Sequence, residues 1–119
     1  MNPQDLILDH YHHPKNFGLL PQATHHAETE NLSCGDSLAM DIIVKDDIIE
    51  EIGWTGNGCA LSQASASLLS EEMKGKRIEE AERLSAEDVF SLIGISPSPA
   101  RARCALFALE TIHRALTKK

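Results

Sequence analysis

The 119-residue sequence has no long hydrophobic run, and no segment approaches the roughly eighteen apolar residues that a membrane span requires. Positive charge is also scarce, since 11 Lys and Arg stand against 18 Asp and Glu, a formal net charge of −7. This excess of negative charge argues against nucleic acid or an anionic membrane as the main partner. The segment from Met1 to Asp9 lacks the basic region and apolar stretch of a signal peptide, so we expect a cytoplasmic protein.

Several sequence signatures of known chemistry are missing. There is no glycine-rich phosphate loop, no serine nucleophile elbow and no zinc-protease helix. No Cys-x-x-Cys pair occurs, and zinc-finger spacings do not fit. The six histidines lie mostly at a predicted helix end or in predicted loops, where we expect solvated or packing side chains instead of metal ligands.

The apolar pattern predicts a three-stranded antiparallel sheet. Leu38, Met40, Ile42 and Val44 alternate with residues of the other face, as in a strand with one buried face; the other face carries Ala39, Asp41, Ile43 and Lys45. Asp46 and Asp47 then turn the chain into a partner strand. We predict the three strands at residues 26–31, around 38–45 and 48–55.

Helices are predicted on both sides of this strand cluster in the chain. Asn2 and Pro3 begin a short helix, a small-residue helix runs from Ala60 to Gly75, and Ser85 begins a third. Ser98 and Pro99 begin the last helix. The sequence therefore predicts an α+β fold, with helices packed on one face of the sheet, in a single domain over residues 1–119.

Three cysteines, far apart in sequence, are the main candidates for chemistry. An odd number cannot pair fully within one chain, and a core of this size needs no disulfides. Cys34 precedes Gly35 and Asp36, Cys59 follows a Gly-Asn-Gly turn, and Cys104 follows two nearby arginines. Three thiolates and one oxygen ligand make a complete tetrahedral metal or iron–sulfur site.

Taken singly, the three cysteines carry different weight. Cys34 beside Asp36 is equally compatible with a ligand pair and with a buried cysteine next to a turn. Cys59 opens a helix, whose N-terminus stabilises a thiolate, and this favours a functional role. Cys104, with apolar Ala105 and Leu106 after it, is on its own better explained as a core residue.

Four sequence blocks together resemble the NifU-like iron–sulfur cluster assembly family of the IscU and SufU type. They follow the family's order over nearly the whole chain. The blocks are Asp9-His10-Tyr11 through Pro14-Lys15-Asn16; Ser33-Cys34-Gly35-Asp36; Gly56-Asn57-Gly58-Cys59-Ala60 with the serines and alanine that follow; and Arg101 with Cys104-Ala105.

The resemblance implies a site and a function. Cys34, Cys59 and Cys104 are then the ligands and sulfur acceptors, and Asp36 is the labile fourth ligand. The family accepts sulfur from a cysteine desulfurase and holds a transient [2Fe-2S] cluster or iron, with zinc as the alternative occupant. It passes the cluster to recipient apo iron–sulfur proteins.

Two positions depart from the IscU pattern. Arg103 stands where IscU-type members have a histidine before the last cysteine, and arginine cannot ligate a metal. The Leu-Pro-Pro-Val-Lys segment that docks a dedicated chaperone is replaced by residues 96–101, so no dedicated chaperone is expected. Arg101 matches a SufU arginine, whereas the insertion of SufU-type members before the last cysteine is absent.

Three hypotheses follow from these residues. The first is a scaffold that builds a [2Fe-2S]-type cluster and transfers it. The second is a zinc-dependent sulfurtransferase, in which Cys104 leaves the metal and accepts persulfide sulfur. The third is a small binding module with a permanent structural zinc, which an aspartate beside the cysteines disfavours because structural zinc sites prefer closed Cys and His sets.

Overall fold

A computed structural model describes residues 2–31, 35–94 and 98–117 of the chain. The elements follow the order helix, three strands, then four helices. They are α1 (Pro3–His12), β1 (His25–Asn31), β2 (Asp36–Lys45), β3 (Ile48–Asn57), α2 (Ala60–Met73), α3 (Ile78–Glu82), α4 (Ala86–Ile93) and α5 (Pro99–Thr117). The predicted α+β class and the three-stranded antiparallel sheet are confirmed.

The sheet has the order β1-β2-β3, and both strand pairs are antiparallel. The hairpin between β2 and β3 turns at Asp46 and Asp47, whose φ angles of 54° and 64° are both positive. Asp tolerates this region better than most residues, and two positive φ angles in a two-residue loop match the twist of the flanking strands. The predicted turn is confirmed.

One face of the sheet forms the core with the helices. Leu38, Met40 and Ile42 of β2 are at most 2% exposed, as their alternation predicts. Helices α2 and α5 pack against each other, α5 packs on β1 and β2, and α2 packs on β3. The small residues of α2 make this close packing possible, because every residue from Leu61 to Ser67 is buried.

Local capping explains where several helices begin and end. Asn2 Oδ1 accepts a hydrogen bond from Asp5 N at 2.8 Å and so caps α1. Ser85 and Asp88 form a capping box at the start of α4, and Gly94, with φ of 87°, ends that helix. Within the described ranges, no helix is long and apolar enough to cross a membrane.

The segment after α1 covers the free edge of β3. Gly18 N donates to Trp54 O, and Trp54 N donates to Asn16 O. Leu20 N donates to Asp41 Oδ2 at 2.9 Å, which explains why Asp41 is buried on the side of the sheet away from the helices. This segment therefore stabilises β3, an edge strand, against pairing with other chains.

Candidate metal and cluster site

The site lies where β2 begins and where β3 passes into α2. Asp36 is the first residue of β2, and Asn57 ends β3 two residues before Cys59. Ser37 pairs with Asn57 in the register of these strands, so Asp36 and the turn before Cys59 lie side by side. Residues far apart in the sequence therefore meet because two neighbouring strands reach the same end of the sheet.

Three predicted ligands converge at this end. One ligand atom each from Asp36, Cys59 and Cys104 can be chosen so that all three lie within 4.8 Å of one another. Two ligands bound tetrahedrally at 2.3 Å from one ion are about 3.8 Å apart. A small inward movement of these side chains is enough to bring them around one ion.

The ligands differ in their access to solvent. Cys59 is exposed, whereas Asp36 and Cys104 are 2% and 9% exposed. Cys104 lies on α5 and faces the site from the helix layer. The site is therefore accessible to solvent at Cys59 and buried at Asp36 and Cys104.

Cys59 is also the N-cap of α2. Its Sγ accepts a hydrogen bond from Ser62 N at 3.5 Å, while its carbonyl oxygen accepts from Ser62 Oγ at 3.0 Å. The Cys59 side chain thereby accepts from one of the open N–H groups of the first helical turn. The predicted placement of Cys59 at a helix start is confirmed.

Asp36 is held by only one of its carboxylate oxygens. Cys59 N donates to Asp36 Oδ1 at 3.1 Å. The second oxygen, Oδ2, is buried and has no hydrogen-bond partner among the described residues. A buried carboxylate oxygen without a partner is costly, and a cation bound there removes that cost. The residues present therefore fit a metal ion or an iron atom of a cluster.

The close approach of Asp36 to the turn requires glycine at position 58. A Cβ added to Gly58 would lie 2.1 Å from Asp36 Oδ1, and the φ of Gly58 is +147°. The sequence suggested only a flexible turn at Gly56-Asn57-Gly58. In the structure, glycine is needed at position 58 because the turn contacts the carboxylate of Asp36, which is distant in sequence.

One residue in contact with the site was missed by the sequence reasoning. Gln63 of α2 is 8% exposed, and the amide orientation that matches its surroundings lets Oε1 accept from Asn57 N at 3.2 Å and from Gly58 N at 3.3 Å. The only signal in the sequence was a long polar side chain among small buried residues of the helix.

Other candidates of the sequence lie elsewhere. Cys34 falls outside the described residues, as do Ser96 and Pro97 of the segment compared with the chaperone-docking motif. Arg101 and Arg103 are exposed on α5. His113 bonds to Ala81 O at 2.9 Å and is not part of the site.

Two further histidines also have protein partners. His10 is buried and bonds through Nδ1 to Ser67 Oγ, as expected of a packing residue. The ring of His26 is hydrogen-bonded to the carboxylates of Glu28 and Asp41. These hydrogen bonds raise the pKa of His26, and the bond to Glu28 has the larger effect.

An α+β domain that gathers two cysteine sulfurs and a carboxylate at one end of its sheet belongs to the class of candidate metal-binding domains. Comparison with known proteins narrows this class, since the family model described as the NifU-like N terminal domain matches residues 2–118. The chain belongs to this family.

Individual relatives include both types expected from the sequence. The chain is 35% identical to "Iron-sulfur cluster assembly scaffold protein IscU" of Thermotoga maritima, with 96% of this chain and 92% of the relative covered. It is 29% identical to "Zinc-dependent sulfurtransferase SufU" of Bacillus subtilis, with 98% and 90% covered. A crystal structure named as a putative iron-sulfur cluster assembly scaffold protein for the SUF system, from Fervidobacterium islandicum AW-1, has a TM-score of 0.84, 27% identity and 94% coverage of both chains.

The two curated relatives named above have longer aligned regions than this chain. The alignment with SufU runs over 133 positions and that with the Thermotoga scaffold over 130, although this chain has 119 residues. Both relatives therefore contain residues with no counterpart here.

Proposed function

We propose that this protein is an iron–sulfur cluster assembly scaffold. It accepts sulfur from a cysteine desulfurase, builds a transient [2Fe-2S] cluster and transfers it to recipient apo-proteins. The observation that carries the proposal is the convergence of Asp36, Cys59 and Cys104 within 4.8 Å at an end of the sheet that is open beside Cys59. The scaffold relatives named above support it.

We assign Cys34 as the third thiolate. It precedes Asp36 by two residues in the sequence, and two residues of chain reach at most about 7 Å between Cα atoms. A ligand set of Cys34, Asp36, Cys59 and Cys104 gives three sulfurs and one oxygen. This is a tetrahedral set in which one position differs chemically from the other three.

The unequal ligand set suits a protein that must release its product. Iron–sulfur clusters are usually held by four thiolates, and a carboxylate is a harder ligand that binds such iron less well. Asp36 keeps one oxygen on the N–H of Cys59 and offers the other to the metal. The protein therefore orients the weak ligand without help from the cargo.

A second function is supported by a separate observation. The chain aligns over 98% of its length with the zinc-dependent sulfurtransferase, and exposed Arg101 lies three residues before Cys104, on the same side of α5 by helical spacing. In that alternative a zinc ion organises the same four ligands. Cys104 would be the acceptor: its thiolate would attack the outer sulfur of the desulfurase persulfide, the S–S bond of that persulfide would break and the desulfurase cysteine would leave as a thiolate, while Arg101 would stabilise the Cys104 thiolate.

The experiment that tests the scaffold is anaerobic reconstitution of metal-free protein with iron, sulfide and a thiol. We expect a visible chromophore of [2Fe-2S] type that moves to an apo-ferredoxin when the two proteins are mixed. Cys59→Ser should abolish it. Thr111→Val is the control. Thr111 lies on α5, about 10 Å along the helix from Cys104, and its buried hydroxyl bonds to Thr29 of β1.

The same preparation separates the alternatives. Tightly held zinc that iron cannot replace, together with faster desulfurase turnover that Arg101→Ala reduces, would establish the transferase. Tightly held zinc with no effect on the desulfurase would establish a structural zinc module. Either result would overturn the scaffold function.

A further inference from the structure

Gln63 occupies an unusual place beside the site. It lies in the first turn of α2, and its backbone N–H makes an early hydrogen bond of that helix, to Cys59 O at 3.2 Å. Its side chain points back to the turn that precedes Cys59. Oε1 accepts two hydrogen bonds there, from Asn57 N and Gly58 N. A single amide oxygen therefore holds two consecutive backbone N–H groups.

Three consecutive N–H groups of this turn are shared between two side chains. Asn57 and Gly58 donate to Gln63, and Cys59 donates to Asp36 Oδ1. Without Gln63, the N–H groups of Asn57 and Gly58 would lose the side-chain acceptor that they share. The carboxylate of Asp36 lies directly against Gly58 and could then accept from them.

We infer that Gln63 is a positioning residue that keeps the second oxygen of Asp36 available for the metal. By occupying the N–H groups of Asn57 and Gly58, it prevents the Asp36 carboxylate from turning fully toward the backbone. The inference rests on the proposed function, because it concerns how the labile ligand of that site is presented. Partners that orient a metal ligand typically change metal affinity by about 10–100-fold when they are removed.

The test is a double-mutant cycle on the release of zinc to a chelator. Met has nearly the length of Gln but is a weak acceptor, so Gln63→Met removes the two hydrogen bonds and keeps most of the volume. We expect about tenfold faster release from Gln63→Met and from Asp36→Ala. The double variant should release zinc about as fast as either single variant, since both changes remove the same ligand.

Several outcomes would overturn the inference. Gln63→Met with the release rate of the natural protein would do so, and so would a double variant in which the two effects multiply, because Gln63 would then act independently of Asp36. Thr111→Val, which also removes a buried hydrogen bond, should leave zinc release unchanged. An Asp36→Ala variant that releases zinc at the natural rate would overturn the ligand role of Asp36 and the inference with it. If the cysteines still bind the metal in Gln63→Met, the proposed function is unaffected even when the inference about Gln63 fails.

A measurement on the natural protein covers the case in which Gln63→Met does not fold. Amide hydrogen exchange of the zinc-loaded protein should show the N–H groups of Asn57 and Gly58 protected to the level of the Gln63 amide in α2. Exchange of these two amides at the rate of an exposed loop would show that Gln63 does not hold them, and the inference would be wrong.

Discussion

The backbone N–H of Cys59 donates a hydrogen bond of 3.1 Å to Asp36 Oδ1, so one predicted ligand directly orients another. Because this bond engages one carboxylate oxygen, the other stays buried without a hydrogen-bond partner among the described residues. The position of the weak ligand is thereby tied to the start of α2. Several predictions about binding and release depend on this link.

Replacing the weak ligand by a strong one should slow transfer of the cluster. Asp36→Cys gives four thiolates, the set that iron–sulfur clusters prefer. We expect transfer to an apo-ferredoxin to slow by about tenfold or more, which corresponds to ~1.4 kcal/mol in activation free energy. The measurement is the rate of appearance of ferredoxin absorption or circular dichroism after mixing.

Asp36→Asn provides the control for that variant. Its amide oxygen still accepts from Cys59 N but binds iron more weakly than a carboxylate, so the cluster should be less stable and transfer should not slow. Equal or faster transfer from Asp36→Cys would contradict the role of Asp36 as the ligand that permits release.

Gly58 and Gly75 both have positive φ, so a comparison of their alanine variants separates the effect of the Asp36 contact from the effect of backbone strain. Gly58→Ala places a methyl group 2.1 Å from Asp36 Oδ1, whereas a methyl group on Gly75, with φ of +82°, meets nothing within 4 Å. Each substitution should cost about 1–3 kcal/mol of stability through its backbone conformation. Only Gly58→Ala should also lose zinc at low chelator concentration.

Urea unfolding and metal analysis of the two glycine variants are the measurements. If Gly75→Ala lost zinc as readily as Gly58→Ala, general destabilisation and not displacement of Asp36 would explain the result.

The buried histidine of α1 should make stability depend on pH. His10 bonds to Ser67 Oγ at 2.6 Å, and the same hydroxyl accepts from Lys15 N at 2.8 Å. Burial lowers the pKa of His10; the charge of Lys15 acts in the same direction, and Asp9 and Glu71 oppose it. The folded protein therefore favours neutral His10.

The direction of the pH effect follows from this lowered pKa. Because the pKa of His10 is lower in the folded chain, the unfolded chain binds more protons near pH 6.5, so the contribution of His10 to stability is present above about that pH and is lost as the pH falls below it. His10→Gln keeps a polar side chain that does not titrate. The free energy of unfolding of the natural protein, relative to His10→Gln, should decrease from about pH 7.5 to 5.5. A constant or increasing difference in urea unfolding would contradict the assignment.

Local signals in the sequence were sufficient for most of the fold. The turn at Asp46 and Asp47, the start of α2 after Cys59 and the end of α4 at Gly94 all depend on residues within a few positions of each other. The short helix α3 was not predicted, because it has a single turn and too few residues for a helical period to be visible.

Contacts between distant residues could not be read from local patterns. Asp41 was expected on the solvent side of β2, yet it is buried because Leu20 and its segment fold over it. The function of Gln63 and the need for Gly58 likewise depend on neighbours that only the sheet register brings close. The ligand set was predicted from the resemblance to the family, whereas the hydrogen bond that holds Asp36 is visible only in the structure.

Proton–cadmium correlation NMR on protein loaded with ¹¹³Cd tests directly whether the four ligands hold one metal ion. Cadmium replaces zinc at thiolate sites, and its scalar couplings identify each bound cysteine. We expect one cadmium signal correlated with the β-protons of Cys34, Cys59 and Cys104, and a change in its chemical shift in Asp36→Ala. A cadmium that couples to fewer than these three cysteines, or that does not respond to Asp36→Ala, would contradict a single four-ligand site.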